Sequence, residues 1–377
     1  MEFRISVAEL SKTLSMMQGV IQKRNTLDIL SNVLIEIVKS SKHQIFFSTT
    51  DLDIGLNIKR NCDIIKTGKI TVSVKSLLDI VKVLPGPDVN LKLMNNDQFK
   101  IESGRTKALL NSISASSYPK VNSFEEVTFN DLNAKLFTSM INKTLYSVSI
   151  DESRNNLRGV YFEPTLKIKG SLSLISTDGH RLSKIERIFN KSCFEKFKPV
   201  ILPRKGLVEL LRLLDNEQIP ENNVFKLGFT NTKAIAKVGN AILSMKLIDG
   251  KFPDYNQVIP KLSDKIVKTS RINFLTSLRR VSVLSADKSQ SLKLSCINSE
   301  LSLSCFNPEV GKVSDYVQVE YNGPNIEINF NARYIIDALS SLSDHNIMLK
   351  FTDSLSPILI CGISDESHIC VVMPMRI

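Results

Sequence analysis

The chain contains one segment in three versions: VSVKSLLDIVKVL (72–84), ILPRKGLVELLRLL (201–214) and INFNARYIIDALSSL (328–342). Each version runs from an alternating, strand-like stretch into residues with helical spacing. Each also has a basic residue followed four positions later by an acidic one, on one helical face: Lys75 and Asp79, Lys205 and Glu209, Arg333 and Asp337. The basic residues lie 130 and 128 positions apart, so the sequence predicts a fold made of three repeats.

A second helix is predicted in each repeat, beginning at Ser6, Asn130 and Asn273, directly after the apolar end of a short strand. Ser6 and Glu9 have the spacing of a capping box. The alternating runs IFFSTTDLDIGLNI (45–58), SLSLISTDGHRLSKI (171–185) and ELSLSCFNPEVGKV (300–313) predict antiparallel strands. We therefore expect an α+β fold of three similar domains, each with two helices packed on antiparallel sheets. The expected domains are 1–125, 126–260 and 261–377, joined by proline-bearing linkers.

The composition is that of a globular protein with several domains. The chain has 377 residues, of which 42% are hydrophobic and 23% charged. These values predict two to four domains and exclude disordered, collagen-like and coiled-coil proteins. No apolar run approaches the ~20 residues of a membrane span, and the N-terminal MEFRISVAEL does not have the pattern of a signal peptide. We therefore expect a cytoplasmic protein.

The charge is basic, with 49 Lys and Arg against 38 Asp and Glu and a net charge of +11. A nucleic-acid partner would explain this balance, but a general preference for lysine explains it equally, because no block of like charges occurs. Several basic residues fall on or beside the predicted helices. Such scattered residues contact phosphates without reading bases.

The metal-binding and nucleotide-binding patterns are missing from the sequence. The six cysteines form no CxxC pair and the four histidines stand far apart, so we expect no metal site and no cofactor. Scattered cysteines are typical of small core residues. Asp51 and Asp53 are either a solvated strand end or two ligands of a metal site whose other ligands the sequence does not identify.

The sharpest local motif is STDGHRLSK (176–184). One interpretation makes His180 a general base oriented by Asp178, with Ser176 as nucleophile. The other makes the motif a turn or a binding loop, because neighbouring residues on a strand and turn point in diverging directions.

Two further segments have two interpretations each. The C-terminal HICVVMPMRI (368–377) fits either a final core strand or an adaptable, methionine-rich surface for partner binding. KLIDGKFPDYNQVIP (246–260) fits either a groove between two domains or hydrophobic packing between them.

Taken together, these motifs resemble the bacterial DNA polymerase sliding clamp family, the beta subunits of DNA polymerase III. The resemblance covers the whole chain, and the threefold repeat matches the three similar domains of that family. Its carriers are TLDILSNVL (26–34), TDL (50–52), STDGHRL (176–182), LPRKG (202–206), LIDGKFPDY (247–255) and VVMPMR (371–376).

The resemblance implies a non-catalytic DNA polymerase processivity factor. Two chains would form a head-to-tail homodimer, a closed ring of six domains with helices lining the hole and sheets outside. The ring would encircle duplex DNA without sequence preference, slide on it and tether the replicative polymerase.

The resemblance also implies which residues bind partners. Peptides of the DNA polymerase III alpha subunit, the clamp loader and other replication and repair proteins would bind between domains two and three. The matching positions are Leu157, Thr177, Gly179, His180, Arg181, Leu182, Pro253, Tyr255, Val258, Tyr334, Leu355, Val371, Val372, Met373, Pro374, Met375 and Arg376. The DNA-binding candidates are Arg24, Lys75, Arg204, Lys205, Arg279 and Arg280.

The chain departs from the family pattern at a few positions. Gln257 stands where members often have arginine, which affects the peptide charge preference, and Asn155 and Asn156 stand where members can have tyrosines near DNA. The charge of +11 is high for the family and predicts strong, salt-dependent adhesion to DNA. Two other classes stay open at this point: a DNA-modifying or hydrolytic enzyme that uses Asp178 and His180, and a peptide-binding adaptor that forms no ring.

Overall fold

The computed structural model describes residues 1–21, 27–38, 43–119, 127–165, 168–190, 194, 197–219, 223–260, 264–283 and 291–375. Each third of the chain contains two half-repeats, and each half-repeat consists of one strand, one helix and three further strands. Six half-repeats therefore follow one another, and the first third has one additional strand, β5. The elements of the first third are β1 (Glu2–Ser6), α1 (Val7–Val20), β2 (Asn32–Ile37), β3 (Gln44–Thr50), β4 (Ile54–Asn61), β5 (Asp63–Lys66), β6 (Gly68–Ser73), α2 (Val74–Val81), β7 (Asp88–Leu93), β8 (Gln98–Ser103) and β9 (Thr106–Asn111). Those of the second are β10 (Phe129–Asn133), α3 (Ala134–Thr144), β11 (Gly159–Thr165), β12 (Ser171–Thr177), β13 (Arg181–Ile188), β14 (Val200–Pro203), α4 (Arg204–Asn216), β15 (Val224–Phe229), β16 (Lys233–Val238) and β17 (Ala241–Lys246). Those of the third are β18 (Lys265–Ser270), α5 (Arg271–Ser282), β19 (Ser291–Ile297), β20 (Glu300–Asn307), β21 (Gly311–Gln318), β22 (Ile326–Asn331), α6 (Ala332–Ser341), β23 (Asn346–Phe351), β24 (Ile358–Gly362) and β25 (His368–Val372).

The helices begin where a strand ends, but the predicted starting residues need correction. Ser6 precedes α1 without a side-chain capping bond, so the predicted capping box is wrong. Asn130 lies within β10 opposite Leu227, and the helix begins four residues later. Helix α5 begins before Asn273, because the hydroxyl of Ser270 caps it by accepting from the Asn273 backbone N–H.

The first compact unit consists of Met1–Lys135 and Lys205–Leu247. It contains a five-stranded sheet, β5-β1-β7-β8-β9, and an eight-stranded sheet, β10-β15-β16-β17-β4-β3-β2-β6, both antiparallel where their pairings are described. Helices α1 and α2 pack against each other. Leu10, Leu14 and Met17 have the spacing of one helical face on α1, and all three are fully buried.

The second compact unit consists of Leu136–Arg204 and Ile248–Ile377. It contains an eight-stranded sheet, β14-β11-β12-β13-β25-β24-β23-β18, and a four-stranded sheet, β21-β20-β19-β22. Helices α5 and α6 pack together over a core that includes Phe274 and Phe330.

Three domains with two helices each on antiparallel sheets are confirmed. The sheets nevertheless do not stop between domains. Strand β17 of the second third pairs with β4 of the first, and β13 of the second third pairs with β25 of the third. The middle third thereby divides its strands between two eight-stranded sheets, which is why the two compact units differ from the three domains.

The cysteines are core residues where they are described. Cys62, Cys296, Cys305, Cys361 and Cys370 are free thiols and buried, whereas Cys193 lies outside the described residues. Burial raises the pKa of the Cys62, Cys296 and Cys361 thiols to about 11. Within the described ranges, no helix has both the length and the apolarity that crossing a bilayer requires.

Candidate partner-peptide site and nucleic-acid surface

The motif STDGHRLSK forms the turn between β12 and β13. Thr177 Oγ1 accepts from the Gly179 N–H at 3.1 Å and donates to the Arg181 carbonyl oxygen at 2.7 Å. Asp178 Oδ1 accepts from the backbone N–H groups of His180 and Arg181 at 2.9 and 3.0 Å. Gly179 has a φ of +89°, a conformation that glycine adopts without strain. The turn is therefore fixed by its own side chains.

This geometry excludes the catalytic interpretation of the motif. The Asp178 carboxylate binds the backbone of His180 rather than its ring. Ser176 is fully buried, and its hydroxyl donates to the Thr144 carbonyl oxygen at 2.6 Å. A buried hydroxyl without a base cannot act as a nucleophile.

Arg181 connects this turn to α6. Its Nε donates to Asp178 Oδ2 at 3.0 Å and its Nη1 to Asp337 Oδ2 at 2.5 Å. The guanidinium carbon lies 4.6 Å from the ring centroid of Tyr334, and that ring is near-parallel to the His180 ring with centroids 6.1 Å apart. Burial alone would lower the pKa of Arg181, but the Asp337 and Asp178 carboxylates raise it above its ordinary value.

A separate apolar cluster lies beside the turn, on the sheet where β13 meets β25. Its members come from β12, β13, β14, β25, the 3-10 turn before β11 and the linker after β17. They are Leu157, Ile175, Leu182, Ile201, Phe252, Tyr255 and Val371, with Tyr161, Ile248 and Ile259 packed against them.

The linker is held on this sheet by aromatic residues. Phe252 stacks on Tyr161 with ring centroids 4.7 Å apart and parallel planes. The Tyr255 hydroxyl donates to Glu163 Oε2, and the Lys184 ammonium lies 5.3 Å from the Tyr255 ring centroid. Burial, followed by the Glu163 contact, raises the pKa of Tyr255. The segment packs on the sheet, as the packing interpretation predicts, and its C-terminal end forms the wall of a cavity. A groove between two domains stays a prediction.

That cavity has a volume of about 440 Å3 and adjoins the cluster through Ile259. Gln257, at the position of the expected arginine, donates from Nε2 to Asp254 Oδ2 at 3.0 Å. The cavity is lined by Gln257, Val258, Ile259, Pro260, Thr352, Ser356, Pro357 and Met373. Apart from the amide of Gln257 and two hydroxyls, the lining side chains are apolar.

The C-terminal segment contains the predicted core strand, whereas its role as a partner-binding surface stays a prediction. Val371 and Val372 are buried in β25, between β13 and β24. Met373 and Met375 are half-buried and run along the surface, where their N–H groups donate to the carbonyl oxygens of His180 at 2.9 Å and Asn329 at 2.7 Å.

The strand registers show how the two sheet junctions differ in their side chains. Gly55 lies opposite Ser244 at the β4–β17 junction, as Leu182 lies opposite Val371 at the β13–β25 junction. The same registers relate two further positions on each face. The first face, at the β4–β17 junction, carries Ser48, Gly55, Thr71 and Ser244. The second face, at the β13–β25 junction, carries at the equivalent positions, in the same order, Ile175, Leu182, Ile201 and Val371. At these four positions the second face is apolar, as the surface that holds an anchor side chain must be.

The structure brings most of the proposed peptide-binding residues into one region. Pro253 is exposed beside the cluster, and Pro374 lies in the half-buried segment after Val372. Leu355 is 72% exposed, on a loop where Asp353 accepts from its N–H. Arg376 lies outside the described residues. Ile175, Ile201 and Tyr161 were missed by the sequence reasoning, although alternation along β12 from Thr177 points to Ile175. Ile248 and Phe252 belong to the segment 246–260, for which the sequence predicted a groove or hydrophobic packing.

The proposed DNA-binding residues have different surroundings. Lys75, Arg204 and Arg279 are exposed at the starts or on the surfaces of helices. Lys205 contacts the buried Asp51 carboxylate and donates to the Val20 carbonyl oxygen at 2.5 Å. Asp51 is buried, so the interpretation as a solvated strand end is wrong for this residue. Its Oδ1 accepts from the backbone N–H groups of Asp53 and Ile54 at 3.1 and 2.6 Å, which stabilises the turn.

Arg280 is likewise ion-paired, with Asp315 Oδ2 at 2.5 Å. Arg24 lies outside the described residues. The six helices together carry eleven lysine and arginine residues and five carboxylates, so a large share of the net charge lies on them.

Comparison with known proteins matches the whole chain to one family. Family models for the DNA polymerase III beta subunit match residues 1–122 as the N-terminal domain, 131–254 as the central domain and 256–376 as the C-terminal domain. The beta sliding clamp of Pseudomonas aeruginosa is 33% identical over 381 residues and that of Vibrio cholerae 30% over 379. Both alignments cover 100% of each chain.

Solved structures agree with these relatives. The beta sliding clamp of C. crescentus has a TM-score of 0.94 and 32% identity, over 100% of this chain and 99% of that chain. The sliding clamp of Bartonella birtlesii, solved bound to griselimycin, has a TM-score of 0.94 and 30% identity, over 100% of both chains.

Proposed function

The chain belongs to the family of DNA polymerase III beta subunits, the beta sliding clamps, and we propose that it is the ring that holds a replicative polymerase on DNA. The family is non-catalytic, in agreement with the buried Ser176 and the backbone-bound Asp178. As a processivity factor, the ring encircles duplex DNA and binds its partners through peptides. Its place is the bacterial cytoplasm.

The observation that carries the ring is an equivalence among strands. In each domain, the last strand of the first half-repeat is β4, β13 or β21, and the last strand of the second half-repeat is β9, β17 or β25. β4 pairs with β17 and β13 pairs with β25, whereas β21 and β9 are edge strands in the described part of their sheets. Pairing β21 of one chain with β9 of a second copy repeats the same junction. Two such pairings close a head-to-tail homodimer of six domains.

The side chains of these edges support that pairing. Leu109 on β9, Tyr316 on β21 and the neighbouring Phe306 on β20 are each more than half exposed. Long edge strands with exposed apolar residues are unfavourable unless another strand covers them.

DNA binding follows from the helices. Their excess of basic residues supports a helix-lined hole in which scattered phosphate contacts allow sliding. Lys75, Arg204 and Arg279, together with Arg24, are the proposed contacts, while the ion pairs of Lys205 and Arg280 favour structural roles for those two.

Peptide binding follows from the second sheet junction. The apolar cluster, the cavity and the turn 177–181 offer anchoring surfaces for leucine and aromatic side chains. The proposed occupants are peptides of the DNA polymerase III alpha subunit, the clamp loader and other replication and repair proteins. The binding of griselimycin by the related Bartonella clamp supplies a probe for this site.

We propose domain borders near 125/126 and 260/261. The ends of the family matches, at residues 122, 131, 254 and 256, support borders in this region. So do the prolines Pro119, Pro253 and Pro260.

The test compares two exposed residues at opposite edges of one sheet. Leu109→Asp places a charge on β9, and Ile65→Asp places the same charge on β5, where Ile65 is 63% exposed. Analytical ultracentrifugation should show a dimer for the wild type and Ile65→Asp but a monomer for Leu109→Asp.

The topological function is measured on a nicked circular plasmid loaded with the cognate clamp loader. The wild type and Ile65→Asp should stay bound until the plasmid is linearised, whereas Leu109→Asp should not be retained. The ring would be refuted if the wild-type protein stayed bound after the plasmid is linearised. It would also be refuted if Leu109→Asp remained a dimer.

A further inference from the structure

Arg181 is occupied by the protein itself. Its Nε, Nη1 and Nη2 each donate to a protein oxygen, on Asp178, Asp337 and the Tyr146 backbone respectively. Its side chain is only 12% exposed. Two carboxylates more than offset its single charge, so the guanidinium has little capacity left for a ligand.

Asp337 and Tyr334 reach Arg181 from the same helix. They are three residues apart on α6, a spacing that places both on one helical face. The Tyr334 ring covers the guanidinium on one side, and the Tyr146 ring lies 5.3 Å from it. Arg181 thus joins α6, the turn 177–181 and the segment around Tyr146.

We propose that Asp337 is a positioning residue for the peptide pocket. By holding Arg181, its carboxylate fixes Tyr334 against His180 and keeps the turn 177–181 at the pocket wall. This inference rests on the proposed peptide-binding function. It also changes the role of Arg181, which holds the pocket together and does not serve as a cationic ligand for the peptide.

The test measures griselimycin binding by isothermal titration calorimetry for Asp337→Asn and Asp337→Glu. Asp337→Asn removes the charged hydrogen bond to Arg181 at the pocket wall. Griselimycin binding should therefore weaken about tenfold. Asp337→Glu, which keeps the carboxylate, should restore most of it. Glu327→Gln is the control, because Glu327 is 61% exposed and pairs with Lys293 on β19.

A second readout separates positioning from general stability. The chain has four histidines, so the ring Cε1–H resonance of His180 can be assigned by comparison with His180→Gln. In Asp337→Asn the Tyr334 ring should move away from the His180 ring and shift that resonance. In Glu327→Gln the resonance should stay where it is. If Asp337→Asn does not fold, Asp337→Ser takes its place.

The outcomes are distinct. Wild-type griselimycin affinity and an unmoved His180 resonance in Asp337→Asn would overturn the positioning role alone. Failure of the wild-type chain to bind griselimycin would overturn the pocket and this inference together. Dimerisation of Asp337→Asn, measured by analytical ultracentrifugation, should be unchanged, because the proposed strand pairing between chains does not depend on this contact.

Discussion

His368 is buried on β25, on the sheet face that carries Ser183 and Cys370, and makes stability depend on pH. Its ring is fully buried, with Nε2 3.2 Å from Ser183 Oγ and 3.7 Å from Cys370 Sγ. Burial, followed by the positive charge of Lys143, lowers its pKa to about 3, although Asp365 opposes this shift. Arg187 also faces the site and lowers the pKa further.

The sign of this effect is fixed by which state binds the proton. Below pH 6.5 the unfolded chain protonates this histidine and the folded chain does not, so stability is present above pH 6.5 and is lost as the pH falls toward 3. The contribution of His368 to the slope of the free energy of unfolding against pH approaches about 1.4 kcal/mol per pH unit. Urea unfolding at pH 7.5, 6.0 and 5.0 should show a shallower loss for His368→Gln than for the wild type. His345→Gln, at an exposed position, should keep the wild-type slope, and an unchanged slope for His368→Gln would contradict the assignment.

The two sheet junctions differ at the level of elements because equivalent strand positions carry different side chains. Replacing Val371 with the serine found at the equivalent position 244 should remove part of the apolar face that anchors a ligand. Val371→Ser should lower the free energy of unfolding by about 2 kcal/mol and weaken griselimycin binding at least tenfold, measured by calorimetry.

Val281→Ser is the matched control, since Val281 is fully buried on α5 in the same compact unit. It should lower stability by a similar amount and leave griselimycin binding unchanged. Equal losses of affinity in both variants would show that the effect is one of stability and not of the junction face.

The strands and helices were predictable to the extent that their signals are local. The runs with period-two alternation identified the hairpins, and the helices with a basic and an acidic residue four positions apart identified the second helix of each third. Asn130 was misassigned because it pairs with Leu227 on β15, almost a hundred residues away. The pocket shows the same division. Thr177 to Leu182 were visible as a motif, but Ile201 joins the cluster only because β14 pairs with β11.

For the whole molecule, charge should govern DNA binding and leave peptide binding almost unaffected. The helices carry excess positive charge, whereas the cluster is apolar and Arg181 is neutralised by carboxylates. Association with DNA should therefore fall steeply between 50 and 200 mM salt, measured by fluorescence anisotropy, while griselimycin affinity should change little over that range. Salt-independent DNA binding would contradict this picture.

Two neighbouring arginines provide a matched pair for the DNA surface. Arg279 is exposed on α5, whereas Arg280 is held by Asp315. Arg279→Gln should reduce the slope of log affinity against log salt by about 0.9, the value for one phosphate contact. Arg280→Gln should change it much less, and equal slopes for the two variants would remove Arg279 from the proposed contacts.

The ladder between β13 and β25 has a practical consequence for dissecting the molecule. A protease that cuts within the exposed residues 249–251 breaks the chain between the second and third domains. The two fragments remain joined by the β13–β25 ladder and by the packing of Phe252 and Tyr255 on the sheet. The nicked protein should elute from a sizing column as an intact particle and separate only in denaturant. A separately expressed third domain, by contrast, would present β25 as a bare edge and would be prone to aggregate.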